Sequence, residues 1–286
     1  MDDIFESTLS TATIVILDTE TTGLSPAMGH RVVEVAAVRL EAWREVKRFD
    51  ALVNPGRSMD IAASRVNGIY DDDLVDAPPF SEIAAPLQAI LQDAVIVAHN
   101  ARFDAAFLGL EASLISTLNQ QDSSSLVLKN PWLCTLQLAR RFFHFRRNSL
   151  TQVALSLGIR TGHAHRALND VYTTMGVLKR MLKHLEPMRF RTVGDLLHAQ
   201  GGPIYVPQQE QPLVPARLAA PLAEALTRHC SLHICYQSPR GETDRVISPL
   251  YATQQDGAGY VVAYCHLRQA QRTFRLDRIV HARVID

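Results

Sequence analysis

Cysteine is scarce in this chain. Its 286 residues include four, Cys134, Cys230, Cys235 and Cys265, with no CxxC spacing. A disulfide framework and a paired-cysteine zinc site are therefore both excluded as the organising element. The stretch HCSLHIC, His229 to Cys235, gathers two histidines and two cysteines. It lacks zinc-ligand spacing, however, and it alternates like a strand, with Leu232, Ile234 and Tyr236 facing one way. Long apolar runs are also missing: none approaches the ~20 residues that span a bilayer. The opening MDDIFESTLS is acidic and has no basic segment leading into an apolar one. These absences point to a cytoplasmic protein with no membrane partner. Internal repeats are absent too. A hydrophobic content of 47% is enough for a substantial core, in one large domain or two smaller ones.

An excess of either charge is lacking overall, because 29 Lys/Arg balance 29 Asp/Glu. The balance hides a division. Residues 1–130 hold 9 Lys/Arg against 19 Asp/Glu, and residues 131–286 hold 20 against 10. An acidic part suited to cations is joined to a basic part suited to phosphates.

The apolar runs that are present read as strands and helices in a definite order. ATIVILD is a buried strand, and HRVVEVAAVRLEAWREVKRFDALVNPG reads as two more strands joined by a short turn, making a three-stranded meander. PFSEIAAPLQAILQD is a helix, AVIVAHN a short strand, and ARFDAAFLGLEASLIS the helix after it. PWLCTLQLARRF is a fifth strand running into a helix, and two amphipathic helices follow in SLTQVALSLGI and HRALNDVYTTMGVLKRMLKHL. A meander followed by alternating strands and helices predicts an α/β domain with a mixed five-stranded sheet, over residues 1–186. Residues 187–213 include AQGGPIYVPQQEQPLVP, rich in Gln, Pro and Gly, and read as a linker. Residues 214–286 read as one short helix followed by strands separated by Gly- or Gln-containing turns, a small β-barrel or sandwich.

The first strand ends in two acids. Asp18 and Glu20 in TIVILDTETTG lie two apart on an extended segment and point to the same side. Two uncompensated carboxylates facing one space raise each other's pKa unless a cation sits between them, and an all-oxygen donor set suits Mg²⁺ or Mn²⁺. VAHNARFD adds Asp104 one helical turn past another strand, with His99 and Asn100 at the turn. HAHRALND adds Asp170 on a helix and His165 five residues before it. Each segment alone has a structural explanation, but together they form a constellation of four acids and a histidine.

D-x-E, then H-N-x-x-F-D, then H-x-A-x-x-D, resembles the DEDDh 3′-to-5′ exonucleases of the ribonuclease H-like superfamily, over roughly residues 12–185. The connecting segments FDALVNPG, NGIYDDDLVDAPPF and CTLQLARRF resemble that family as well. The resemblance implies a ribonuclease H-like fold and two divalent cations held by Asp18, Glu20, Asp104 and Asp170. His165 is implied as general base, since only it, and not His163, keeps the family spacing to Ala167 and Asp170. It also implies that Thr21, Thr22, Gly23 and Leu24 seat the 3′ end of a strand, through backbone N–H groups, hydroxyls and a Leu24 wedge. His99, Asn100 and Phe103 are implied to lie near the terminal nucleotide. The residue types suit the chemistry: two-metal hydrolysis stabilises the entering and leaving oxygens, and an imidazole titrates near neutrality. ARRFFHFRRNSL interleaves Arg140, Arg141, Arg146 and Arg147 with Phe142, Phe143 and Phe145, a pattern used to bind single strands.

LHICYQ, RVISPLYAT and GYVVAYCHLRQAQRTFRLDRI resemble a WYL domain, an SH3-like or Sm-like β-barrel, over roughly residues 214–286. The triplet that names the family is here Gly259, Tyr260, Val261. The resemblance implies a basic surface for nucleic acid or a charged regulatory ligand, built from Arg245, Arg272, Arg275 and Arg278 with Tyr236 and Tyr260. The whole reads as an exonuclease acting on single-stranded or frayed nucleic acid, DNA favoured. Its alternatives are a ligand-sensing regulator with an inactive nuclease domain, and a proofreading subunit with a polymerase partner.

Overall fold

A computed structural model describes residues 2–118, 126–162, 165–207, 214–239, 241–255 and 257–285. The chain divides into two compact units, Met1–Gly23 with Arg31–Pro207, and Gln208–Asp286 with Leu24–His30. None of the described helices is long and apolar enough to cross a membrane.

The first unit is built on strands β1 (Thr13–Thr21), β2 (Val32–Glu41), β3 (Arg44–Leu52), β4 (Val95–Ala98) and β5 (Trp132–Cys134). They form one mixed sheet in the order β3-β2-β1-β4-β5. The β1–β2 and β2–β3 pairs are antiparallel, and β4 and β5 run parallel to β1. The continuous apolar character of β1 and β2 follows from burial on both faces. On one face Val15, Leu17, Val35 and Ala37 pack with Leu87, Phe107 and Leu108. These come from helices α4 (Phe80–Leu91) and α5 (Ala101–Leu118), which follow the short helices α1 (Asp2–Glu6), α2 (Ile61–Asn67) and α3 (Asp71–Leu74). On the other face Ile14, Ile16, Ala36 and Val38 pack with Val171, Val177 and Met181. Those three belong to α8 (Ala167–Leu185), which follows α6 (Thr135–Phe142) and α7 (Leu150–Ser156) and lies across β1 and β2. Among the described residues strand β3 pairs with β2 alone, and it is mostly exposed, as its charged sequence REVKRFDAL requires.

Residues 187–207, read from composition as part of a linker, are structured and cluster with the first unit. Helix α9 (Val193–Ala199) starts with a capping box: Thr192 accepts from the Asp195 N–H at 3.1 Å, and the Asp195 side chain accepts from the Thr192 N–H at 2.9 Å. Val193, Leu196 and Leu197 are buried in the core. Beyond the helix, Gln200 turns its amide onto edge strand β5, accepting from the Cys134 N–H at 2.6 Å and donating to the Trp132 carbonyl at 2.8 Å. Composition misled here because Gln and Gly mark loops only on average. Residues 208–213 of the expected linker lie outside the described residues.

The second unit carries α10 (Ala216–Arg228) and strands β6 (Ser231–Ser238), β7 (Gly241–Gln255), β8 (Ala258–Cys265), β9 (Ala270–Arg275) and β10 (Ile279–Ile285). They form an antiparallel sheet in the order β10-β6-β7-β8-β9. Leu232, Ile234, Ile247, Val261, Ala263 and Phe274 share its inner face, with Leu218, Leu222 and Ala225 of α10 in the same core. All four cysteines are free; of HCSLHIC, Ser231 to Cys235 lie in β6, and Cys235 donates its thiol to Glu242.

Replacing Gln200 by Ala is expected to lower stability by about 1–3 kcal/mol, because it strands the buried Cys134 N–H and leaves the Trp132 carbonyl with only the longer bond from the Ile204 N–H. The measurement is urea unfolding, read as a lower midpoint at unchanged slope.

Candidate active site

Strand β1 places Asp18 and Glu20 on the α8 face of the sheet, at the end where the apolar run stops. Asp170 comes from the first turn of α8. Carboxylate oxygens of Asp18, Glu20 and Asp170 lie within 4.8 Å of one another. Asp104 stands outside this group. It is buried on α5, and its Oδ1 accepts from the Thr19 N–H at 3.1 Å and the Thr19 hydroxyl at 2.8 Å.

Crowding and burial push these acids toward their neutral forms. Burial raises Asp18 well above the usual carboxylate range, with repulsion from Asp104, Glu20, Asp170 and Glu34 adding to it. Glu20 is pushed up to about 8 by burial first and then by Asp170 and Glu34. Asp104 rises to about 7 through burial, against the opposing effect of the Thr19 bonds. Asp170 is raised by burial, offset in part by the His165 backbone N–H. An all-oxygen cluster whose members repel one another is matched to a hard divalent cation, which supplies the missing positive charge.

His165 is exposed and lies at φ 66°, in the left-handed region that disfavours residues with a Cβ. Its N–H donates to Asp170 Oδ2 at 3.1 Å. The competing His163 lies outside the described residues.

The other expected substrate residues divide. Asn100, exposed at φ 72°, and half-buried Phe103 sit at the start of α5. Phe103 also packs on Phe107, with ring centroids 4.8 Å apart. His99 is occupied internally, with Nδ1 2.9 Å from the Thr135 hydroxyl and Nε2 2.8 Å from the Asn148 carbonyl. The hydroxyls expected to face substrate turn inward. Thr21 donates to the Gly23 carbonyl at 2.6 Å, and Thr22 accepts from the Arg31 N–H at 3.0 Å. Leu24 is 86% exposed. Of the basic aromatic stretch, the rings are structural: Phe143 stacks on Phe145 at 5.1 Å and Phe142 packs on Phe190 at 5.8 Å. Arg140, Arg141, Arg146 and Arg147 remain exposed.

Two buried acids escaped the sequence reading. Glu34, 2% exposed, is the register partner of Glu20 and binds Arg166. Glu111, 1% exposed, accepts from the Arg31 guanidinium at 2.8 and 2.6 Å and from the Val32 N–H at 3.2 Å. The available signal was an acid inside an otherwise apolar run, VVEVAAV and FLGLEASLI, which burial permits only with a partner.

In the second unit a cavity of about 290 Å³ is lined by Tyr236, Arg245, Arg268, Arg272, Thr273 and Phe274, among others. No acid lines it. Arg245 and Arg272 share the inner face with the core because Arg245 is two residues from buried Ile247 and Arg272 pairs with buried Ala263. Arg275, grouped with them in the sequence reading, is instead bound to Asp277 at 3.0 and 2.6 Å. Arg278 and Tyr260 do not line this cavity, and Arg268 is an addition.

Acids converging at the end of the central strand of such a sheet make an all-oxygen site suited to divalent cations. Comparison with known proteins makes this specific. The Exonuclease family profile matches residues 15–178, and the WYL domain profile matches residues 217–284. The DNA polymerase III epsilon subunit of Buchnera aphidicola subsp. Schizaphis graminum is 31% identical over 170 residues, covering 57% of this chain and 71% of that protein. The PolC-type DNA polymerase III of Thermotoga maritima is 30% identical over 191 residues, which cover 67% of this chain but span only 13% of the polymerase. Among solved structures, Exonuclease X in complex with 5′ overhanging duplex DNA matches at TM-score 0.50 and 25% identity, covering 66% of this chain and 99% of that one. The nuclease domain of 3′hExo, a DEDDh family member bound to rAMP, shares the fold at TM-score 0.51 and 18% identity, with 62% and 95% covered. The chain belongs to the Exonuclease family and carries a WYL domain. It is an enzyme, and the family implies divalent metal ions at the acidic cluster.

The raised carboxylates link stability to pH with a definite sign. A Glu that ionises near 4.5 when unfolded and near 8 when folded binds more protons in the native state between those values, so stability falls as pH rises through that window. Thermal melts in chelator are expected to show Tm falling from pH 5 to 8. Saturating Mg²⁺ or Mn²⁺, or Glu20→Gln, is expected to flatten that fall.

Proposed function

We propose that this exonuclease works from the 3′ end, releasing nucleotides from single-stranded or frayed nucleic acid, with DNA favoured over RNA. The observation that carries the reading is the convergence of Asp18, Glu20 and Asp170 beside His165. Two divalent cations, Mg²⁺ or Mn²⁺, held by these acids with Asp104, would supply Lewis-acid stabilisation of charge on the entering and leaving oxygens. His165, exposed at the cluster's rim, accepts the proton of the attacking water at a ring nitrogen. Asp104 is pre-set by its two bonds from Thr19, which tie the α5 acid to the strand carrying the other two. The backbone of Thr21 to Gly23 seats the strand end, with the two threonine hydroxyls bracing the turn and Asn100 and Phe103 against the terminal nucleotide.

The preference for DNA draws support from the 25% identity to Exonuclease X, solved in complex with 5′ overhanging duplex DNA. A second reading, proofreading beside a polymerase, is favoured by the relative named as an epsilon subunit. The WYL domain assists by gripping nucleic acid or by regulation: its arginine-lined cavity has the charge to hold phosphate.

The test is a 5′-end-labelled oligonucleotide with Mg²⁺ or Mn²⁺. Stepwise 3′ shortening is expected, abolished by chelator and by Asp18→Ala. His165→Ala is expected to cut turnover by about 10²–10⁴-fold. Shortening from the 5′ end, or unchanged turnover in His165→Ala, would refute the polarity or the base respectively.

For the second unit, Arg245→Ala and Arg272→Ala are each expected to weaken oligonucleotide affinity and reduce its salt dependence, leaving kcat near wild type. Titrating oligonucleotide at two salt concentrations measures this, and unchanged affinity in both variants removes the grip.

A further inference from the structure

Helix α8 delivers Asp170, yet it begins without a cap of its own. Its first residue outside the helix, Arg166, makes no side-chain capping bond. The missing acceptor comes from across the sheet. Glu34 Oε2 accepts from the Ala167 N–H at 2.9 Å, the first N–H of the helix. The same carboxylate takes the Arg166 guanidinium in a fork, with Nε at 3.1 Å from Oε1 and 3.2 Å from Oε2, and a terminal nitrogen at 2.7 Å from Oε1. Both oxygens of Glu34 are therefore occupied. This separates Glu34 from its register partner Glu20, which joins the acidic cluster while Glu34 does not.

Arg166 and Ala167 immediately follow His165, whose backbone is held at φ 66°. Bonds that fix such a conformation must come from the surroundings, because the residue does not favour it by itself. Two are present: Asp170 Oδ2 holds the His165 N–H, and Glu34 holds the two residues after it. A buried carboxylate paired with a planar guanidinium fixes direction as well as charge.

We propose that Glu34 is a positioning residue for hydrolysis: it caps α8 from strand β2 and, with Arg166, holds His165 and Asp170 against Asp18 and Glu20. The proposal rests on the nuclease reading of that cluster. Glu34 touches neither metal nor substrate in this scheme. It acts by fixing the register between the helix that carries one metal-site acid and the sheet that carries two others. Such supporting partners of a metal site typically matter by about 10–100-fold.

The experiment compares Glu34→Gln, Arg166→Gln, Arg166→Lys and the Glu34→Gln/Arg166→Gln double variant in the full chain. Single-strand hydrolysis in Mg²⁺ is measured per folded molecule, alongside amide hydrogen exchange. Each single variant is expected to lose about 10–100-fold in kcat with KM nearly unchanged. Arg166→Lys should lose most of this too, since an ammonium cannot reproduce the fork. The double variant should be no worse than the poorer single one, because both remove one interaction. Exchange at residues 165–170 should rise in every variant while β1 and β2 stay protected. Unchanged kcat and unchanged exchange in Glu34→Gln, or losses that multiply in the double variant, would overturn the proposal. If Glu34→Gln does not fold, Arg166→Gln decides alone, because its side chain is half exposed. The exchange readout needs no chemistry, so absence of 3′ shortening in wild type would sink the nuclease reading while leaving the positioning role separately measurable.

Discussion

Repulsion among carboxylates on one face of the sheet is the constraint around which the rest is arranged. Asp18 and Glu20 on β1, Glu34 beside Glu20 on β2, Asp50 one strand further and Asp170 from α8 all bear on a small volume. Removing such charges from water without compensation costs several kcal/mol each. The fold answers in two ways. Glu34 is neutralised internally by Arg166, and Asp50, raised by burial and then by Glu34, is offset in part by Arg166 and Arg48. Asp18, Glu20 and Asp170 have no Lys or Arg among the leading influences on them; the His165 backbone N–H offsets Asp170 in part. Binding energy for a divalent ion is thus stored as unfavourable electrostatics in the metal-free protein.

The opposite face of β1 supplies the rigidity that lets this strain persist. Asp104 and Glu111 are seven residues apart on α5, two helical turns, and so fall on one side of it. Asp104 grips Thr19, and Glu111 grips Arg31 and the start of β2. Arg31 in turn exchanges backbone and side-chain bonds with Thr22. One helix therefore fixes both strand ends flanking the turn that follows Asp18 and Glu20.

The acids and their order were legible in the sequence because metal chemistry restricts residue type, and the sheet was legible because two-sided burial leaves continuous apolar runs such as ATIVILD. What stayed hidden depends on direction. Nothing in TTG tells that Thr21 and Thr22 turn their hydroxyls inward, since threonine satisfies backbone and ligand equally well. Nothing in RTFRLDRI tells that Arg275 is spent on Asp277 while Arg272 lines a cavity, since alternation gives a side but not a partner. Helix α9 escaped because its seven residues sit in a Gln- and Gly-rich setting, although the Thr192–Asp195 spacing was visible.

Gln200 has a meaning beyond its own pair of bonds. Strand β5 is the last in its sheet, and an open strand edge is a template on which other chains can polymerise. A side-chain amide that receives one N–H and supplies one to a carbonyl imitates a single peptide unit of a further strand. With Ile204 bridging Trp132 in both directions, the sheet is terminated by a counterfeit strand too short to propagate. Residues 200–204 thereby cover an edge of their own sheet that would otherwise be open to pairing with another chain.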